Sequence, residues 1–115
     1  MNTKPLISWE DFEKIDIRIG TILDAKPFEN ARNPSIQLTI DLGASLGIKK
    51  SSAQITQLYT PEKLIGKQVS AVVNFPRKQI ANFMSDCLVL GVVAENKEII
   101  LLTSDLPSLN GLPIG

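Results

Sequence analysis

The chain has 115 residues, 43% of them hydrophobic, and its twelve basic and twelve acidic side chains give a formal net charge of zero. This length suits one domain over residues 1–115 and is too short for two ordinary domains. With one cysteine and no histidine, the composition excludes an intrachain disulfide and every catalytic arrangement that uses histidine as its base.

The first predicted element is a short helix near the N-terminus. Ser8 precedes Trp9-Glu10-Asp11, and its hydroxyl can accept hydrogen bonds from the amides of the first turn, while the early acids suit the positive end of the helix dipole. Trp9 and Phe12 fall at helical spacing and would share one apolar face. The helix is expected to end near Ile15, where the period of the apolar residues changes.

Two strands and a loop are predicted next. Isoleucine alternates with other residues over Ile15–Ile19, which is strand spacing, and Gly20 marks a bend or bulge. Turn-tolerant residues between Pro27 and Pro34 predict a loop. Alternation then resumes in Ile36–Leu42, the second strand, and Gly43–Gly47 is a predicted turn.

The second half of the chain contains further strands and one small helix. Ser51–Leu58 is the third strand candidate, and Thr60–Gly66 predicts one or two helical turns. The apolar, β-branched runs Gln68–Phe75 and Cys87–Ala94 indicate inner strands, and Glu95–Lys97 indicates a hairpin turn.

Together these elements predict an all-β fold. Five or six short strands, with a small helix between the middle strands, are typical of the OB-fold, a five-stranded Greek-key barrel. We therefore expect an OB-fold with a short N-terminal helix and a small helix between strands 3 and 4.

Charge is distributed unevenly along the chain. Residues 1–46 carry five basic and seven acidic side chains, residues 47–83 carry six and one, and residues 84–115 carry one and four. An uneven field of this kind can steer an acidic or anionic partner even at zero net charge. We therefore expect the working surface to lie in Gly47–Phe83.

The sequence offers little support for catalysis. Cys87 lies in an apolar run without a basic neighbour, which favours a buried core residue over a nucleophile. No glycine-rich phosphate loop is present, and the acids within residues 10–16 are explained by the helix start and a solvated face. We expect a binding protein rather than an enzyme, with no metal and no cofactor.

Targeting signals are not apparent either. The first fourteen residues lack the apolar core of a signal peptide, and no apolar run approaches the roughly 20 residues that span a bilayer. A cytoplasmic protein with no membrane insertion is expected.

Two motifs favour binding. Lys49-Lys50 is followed directly by Ser51 and Ser52, with Gln54 nearby, and Asn74-Phe75-Pro76 is followed by Arg77 and Lys78. Cations for phosphate and an aromatic ring for stacking are what an OB surface uses on single-stranded nucleic acid. Because only 5% of the residues are aromatic, phosphate or shape recognition, or a basic rim around an apolar groove, is favoured over a broad stacking platform.

The motifs also resemble a known family. Residues 8–25 (SWEDFEKIDIRIGTILDA), residues 49–76 (KKSSAQITQLYTPEKLIGKQVSAVVNFP), residues 77–91 (RKQIANFMSDCLVLG) and the closing NGLPIG are similar to the CsaA family of export-related chaperones. That family lies within the wider group of tRNA-binding domains found in methionyl-tRNA synthetases and in the EMAP-II cytokine.

The resemblance implies an OB-fold homodimer that binds unfolded or precursor polypeptides, a link to the SecA secretion machinery, and tRNA binding in the wider group. Its implied peptide- or tRNA-binding residues are Lys49, Lys50, Ser51, Ser52, Gln54, Asn74, Phe75, Arg77, Lys78 and Ser85. The implied dimer contact uses the N-terminal helix and the C-terminal segment, with Trp9, Phe12, Leu109 and Asn110.

One departure separates the two roles. The tRNA-binding relatives carry Ser-Glu-Gly-Met where this chain has Ser85-Asp86-Cys87-Leu88, so the glycine and methionine are missing. This favours a CsaA-type chaperone that also has tRNA-binding capacity. The alternative, a primarily structure-selective tRNA-binding protein, stays open at this point.

Overall fold

The fold is described by a computed structural model that covers residues 2–115. The helices are α1 (Trp9–Glu13), α2 (Gly43–Leu46) and α3 (Pro61–Leu64), with a 3-10 turn at Glu95–Lys97. The strands are β1 (Ile17–Pro27), β2 (Ile36–Asp41), β3 (Ile48–Ala53), β4 (Gln68–Val72), β5 (Lys78–Ile80), β6 (Phe83–Ser85), β7 (Leu88–Val89), β8 (Gly91–Val93), β9 (Ile99–Leu101) and β10 (Pro113–Ile114).

The strands form a nearly closed antiparallel barrel. The main sheet has the order β3-β2-β1-β4-β7, and β10 adds to β1. Two ribbons, β5-β6 and β8-β9, extend from it. The helix α3 lies between β3 and β4, and α1 precedes the barrel. The predicted OB-fold, with both of its helices, is confirmed.

The core follows the alternation of the second strand. Along β2 every other residue, Ile36, Leu38 and Ile40, is buried, while the residues between them are half-buried. The other fully buried side chains include Ile22 from β1 and Leu64 from α3. Period-two burial of this kind is what a strand with one face toward the core requires.

The predicted start of α1 is confirmed in detail. The Asp11 N–H donates to Ser8 Oγ at 3.1 Å, and the Ser8 N–H donates to Asp11 Oδ2 at 3.3 Å, which together form a capping box. No residue of α1 is buried, and Trp9 is 84% exposed. The helix therefore presents its apolar face outward. None of the helices in the described chain has the length and hydropathy that crossing a bilayer requires.

Gly20 has a different role from the predicted bend or bulge. The register of β1 against β2 shifts between Ile22 and Asp24, so the bulge lies three residues later. Gly20 is instead a point of close approach, because a Cβ there would lie 2.7 Å from the side chains of Ile40 and Leu42. The absence of a side chain lets β1 pack against β2.

Other boundaries also differ from the predictions. The third strand ends at Ala53 rather than Leu58, although Ile55 is still buried. The run Cys87–Ala94 forms two short strands, β7 and β8, rather than one. The β5-β6 hairpin was not predicted, and its turn contains Ala81 with φ 51°, a conformation that few residues other than glycine adopt.

Candidate functional site

An open groove of about 1040 Å³ lies on one side of the barrel. Its walls are the β1–β2 loop, the residues that follow β3, the β4–β5 loop with the β5-β6 hairpin, and the β7–β8 segment. With Ile99 of β9, five separate stretches of sequence therefore meet at this site. The groove is the main candidate for ligand binding, because large open clefts with mixed lining are where proteins hold their ligands.

The lining of the groove is mostly apolar. Ile55, Ile80 and Ile99 line it together with residues 88–90. Phe75, which is 55% exposed, lies at its edge. A surface of this kind favours apolar segments of a ligand.

The charged lining residues are few. The cations are Arg32 and Lys78, and the carboxylate is that of Asp86. Arg77 Nε lies 2.9 Å from Asp86 Oδ1 as an ion pair. The charge of Asp86 is thus paired within the protein, although its Oδ1 accepts no hydrogen bond, and the cations Arg32 and Lys78 give the groove a net positive character.

The Lys-Lys-Ser-Ser stretch forms β3, where neighbouring side chains point to opposite faces. Ser52 lines the groove, while Ser51 is 1% exposed and its hydroxyl donates to Cys87 O at 2.9 Å. Lys50 is exposed and Lys49 is half-buried, and neither of them lines the groove. Only one of the four side chains therefore faces the groove.

The edge of β3 is joined to the segment between β6 and β7. The Lys50 N–H donates to Asp86 Oδ2 at 3.1 Å, and the Asp86 N–H donates to Lys50 O at 2.7 Å. The Ser52 N–H donates to Ser85 Oγ at 3.2 Å. Two edge amides are thus satisfied by side chains, and these contacts close the barrel beside the groove.

The Asn-Phe-Pro motif also has two roles. Phe75 and Pro76 line the groove. The Asn74 side chain instead accepts from the Asp16 N–H at 3.0 Å and donates to Lys14 O at 2.7 Å. It therefore fixes the junction between α1 and β1.

Five of the ten predicted binding residues come together in the groove: Ser52, Gln54, Phe75, Lys78 and Ser85. The other five, Lys49, Lys50, Ser51, Asn74 and Arg77, do not line it. Arg77 lies beside it through its ion pair with Asp86.

Sequence reasoning missed Arg32 and the β5-β6 hairpin. Arg32 lies in a loop that the sequence identified only as turn-tolerant, and no local pattern places that loop beside Lys78. The two walls also meet through aromatic contact, since the Phe28 and Phe83 ring centroids are 5.4 Å apart. This pair ties the start of the β1–β2 loop to the hairpin.

Cys87 is buried, as expected from its apolar run. Burial, together with the nearby Asp86 carboxylate, raises the pKa of its thiol to about 11. A thiol that keeps its proton at neutral pH is a poor nucleophile.

The predicted dimer residues lie mainly on the surface. Trp9, Phe12 and Leu109 are exposed. Asn110 is half-buried, and its side-chain oxygen accepts from Thr21 Oγ1 at 2.7 Å. Asn110 thus holds the C-terminal segment against the barrel, while the other three present apolar surface.

Comparison with known proteins relates the chain to one family and to two kinds of protein. The family described as "Putative tRNA binding domain" matches residues 17–112. The solved structure of chaperone CsaA from Bacillus anthracis str. Ames is 50% identical, with a TM-score of 0.91 over 96% of this chain and 100% of that chain. The CsaA chaperone protein from Picrophilus torridus is 46% identical, with a TM-score of 0.90 over the same shares.

A methionine–tRNA ligase from Chlorobium chlorochromatii (strain CaD3) is 31% identical over 94% of this chain and 15% of the ligase. The chain thus spans about 15% of the length of the curated relatives it matches.

Proposed function

This chain belongs to the tRNA-binding domain family, and we propose that it is a CsaA-type molecular chaperone that binds unfolded or precursor polypeptides for export in the cytoplasm, with tRNA-binding capacity. The observation that carries the proposal is the open, mostly apolar groove with its basic rim. An extended polypeptide would place apolar side chains on the groove floor and leave its polar groups toward solvent.

The chaperone role is tested by aggregation of an unfolded client. Leu88 lines the groove and is 47% exposed, whereas Leu23 is 45% exposed on β1 and does not line it. We expect the protein to reduce client light scattering at stoichiometric amounts, Leu88→Asp to remove this effect, and the matched control Leu23→Asp to retain it. Unchanged scattering with the unaltered protein would refute the chaperone proposal.

A tRNA-binding role is the second candidate, supported by the cations Arg32 and Lys78 and the exposed Phe75 ring, all three of which line the groove. Each phosphate neutralised by a cation steepens the salt dependence of binding. We expect Arg32→Ala or Lys78→Ala to weaken tRNA binding and reduce the salt slope by about 1. Lys63→Ala, on α3 outside the groove, serves as control. Equal affinity for tRNA and random single-stranded RNA would rule out this role.

We also propose a homodimer built from the N-terminal helix and the C-terminal segment. Apolar side chains are exposed at both ends: Leu6 and Ile7 just before α1 and Trp9 within it, and Leu106 and Leu109 in the C-terminal segment. Exposed apolar surface of this extent is typical of an interface. Sedimentation equilibrium should give a dimer for the unaltered protein and a monomer for Trp9→Glu with Leu109→Glu. A monomeric unaltered protein would contradict this proposal.

Three further elements of the proposal come from the family. We propose SecA as a partner, tested by co-sedimentation of the two purified proteins. We also propose that residues 1–115 act as one OB-fold domain, supported by the family match over residues 17–112. Finally, we propose that the protein binds without catalysing a reaction, since its structural relatives are described as chaperones.

A further inference from the structure

The carboxylate of Asp86 connects two walls of the groove. Its Oδ2 accepts a hydrogen bond from the N–H of Lys50 on β3 at 3.1 Å. Its Oδ1 lies 2.9 Å from Nε of Arg77, the residue that directly precedes β5. The Asp86 side chain is only 14% exposed. The partner guanidinium is 69% exposed, so solvent reaches the pair from that side.

The position of Arg77 follows from the hairpin register. Lys78 pairs with Ser85 at the base of the hairpin, so one further step along the two chains sets Arg77 opposite Asp86. Opposite charges at such a cross-strand position attract each other. The ion pair places Arg77 Nε at the base of the hairpin.

The outer end of the guanidinium is open to a ligand. Within residues 2–115 no hydrogen bond joins the Arg77 side chain to another protein group, since its contact with Asp86 Oδ1 is an ion pair without a hydrogen bond, and the side chain is 69% exposed. A guanidinium offers several donors in a fixed planar geometry that matches a carboxylate. Arg77 thus combines an ion pair at Nε with guanidinium donors that remain open to a ligand.

We propose that Asp86 is a positioning residue that holds Arg77 at the rim of the groove, where the free guanidinium nitrogens bind an acidic side chain of an extended client peptide. This inference rests on the proposed chaperone function and adds a client class: apolar segments that carry a glutamate or aspartate.

The lining favours a polypeptide over RNA as the ligand of Arg77. Apolar residues dominate the groove, and only Arg32 and Lys78 among its lining residues are cationic. RNA binding depends on many phosphate contacts, whereas one carboxylate between apolar side chains needs a single well-placed donor group. A peptide with one acid therefore fits this arrangement.

The test compares two labelled synthetic peptides, leucine-rich and identical except for one central residue, which is Glu in one peptide and Gln in the other. The measured quantity is the ratio of their dissociation constants, by fluorescence anisotropy. We expect the unaltered protein to prefer the acidic peptide about tenfold or more, which is the low end of the effect of one hydrogen bond to a charged group. Arg77→Gln and Asp86→Asn should each abolish this preference. The double variant should lose no more than Arg77→Gln alone, because the two residues act as one unit.

Asp24→Asn is the matched control. It changes net charge by the same amount, but Asp24 pairs with Lys26 at 3.8 Å and does not line the groove. It should leave the ratio unchanged. The inference is overturned if Asp86→Asn keeps or increases the acidic preference, or if it weakens both peptides in parallel, which a purely structural role would produce.

The remaining outcomes separate this inference from the chaperone proposal. Equal binding of both peptides by the unaltered protein refutes the inference and leaves the chaperone function intact. Binding of neither peptide refutes both. If Asp86→Asn alters the binding of tRNA but not the peptide ratio, Arg77 serves RNA and the inference is wrong.

Discussion

Replacing Gly20 with alanine tests the close packing of β1 on β2. The added Cβ would lie 2.7 Å from Ile40 Cγ2, 2.7 Å from Leu42 Cδ2 and 2.9 Å from Asp41 O. All three distances are too short for a carbon atom, so the strands or side chains must move. Gly20 does not have a positive φ, so the expected cost comes from packing alone.

The neighbours of Gly20 have little room to move. Asp41 pairs with Thr21 in the β1-β2 ladder, and Ile40 and Leu42 are 0% exposed in the core. Inserting a group into a well-packed core costs about 1–3 kcal/mol. Because three neighbours are displaced and one is main chain, we expect Gly20→Ala to cost about 3 kcal/mol. This corresponds to a fall in Tm of about 10 °C for a chain of this length.

Urea and thermal unfolding followed by far-UV circular dichroism measure this change. Trp9 is exposed outside the core, so its fluorescence is a poor reporter. Protein concentration is held constant, because association would make Tm depend on it. Gly115→Ala, whose added Cβ meets nothing within 4 Å, should leave stability unchanged. A loss below about 0.5 kcal/mol for Gly20→Ala, the usual range of surface substitutions, would refute the packing argument.

Three further predictions concern the thiol, the α1 junction and the aromatic pair. The pKa of the Cys87 thiol is raised from 9.0 to about 11 in the folded protein, so its contribution to stability is complete below pH 9 and is lost as the pH rises toward 11. Cys87→Ala should therefore reduce the loss of stability between pH 9 and 11, measured by urea unfolding. An unchanged loss of stability in the variant contradicts the raised pKa. Asn74→Ala removes two hydrogen bonds to main chain at the α1–β1 junction, at a cost of about 1 kcal/mol each. Limited proteolysis before residue 15 should therefore become faster. An unchanged rate of cleavage contradicts the role of Asn74 in fixing this junction. Phe83→Ala removes the contact with the Phe28 ring, whose centroid lies 5.4 Å away and which is worth about 1 kcal/mol. Amide hydrogen exchange should therefore increase more in residues 78–85 than in β2. An equal increase in both segments would refute a local effect.

Local patterns were sufficient for most of the barrel. The alternation in β2, the Ser8 cap, α3 with Pro61 at its start, and the hairpin turn near Asn96 were all predicted, because each depends on residues within a few positions of one another. The same patterns supported the OB-fold.

Features that depend on distant residues were not predicted. The role of Gly20 follows from the register of β1 against β2, which no single segment encodes. The β5-β6 hairpin is a local element and was missed for another reason: its strands have three residues each, and its turn contains Ala81 in place of the usual glycine or asparagine.

Only part of the candidate site was predicted, because some of its residues come together from distant parts of the chain. Phe75 and Lys78 come from a motif whose cations and aromatic ring are visible in sequence. Arg32 joins them only through the fold. Ser51 lies in the Lys-Lys-Ser-Ser stretch and Asn74 in the Asn-Phe-Pro motif. Their hydrogen bonds to distant main chain follow only from the fold.

The side-chain closure between β3 and the Ser85–Cys87 segment has a kinetic consequence. The β1-β2-β3 meander forms contacts between neighbouring strands, whereas this closure joins residues 33 to 37 positions apart. Contacts that close longer loops form later in folding, and contacts absent from the folding transition state mainly govern the unfolding rate. Substitutions of Ser85 or Asp86 should therefore act mainly on the unfolding rate, so these two residues help to set how long the groove keeps its shape.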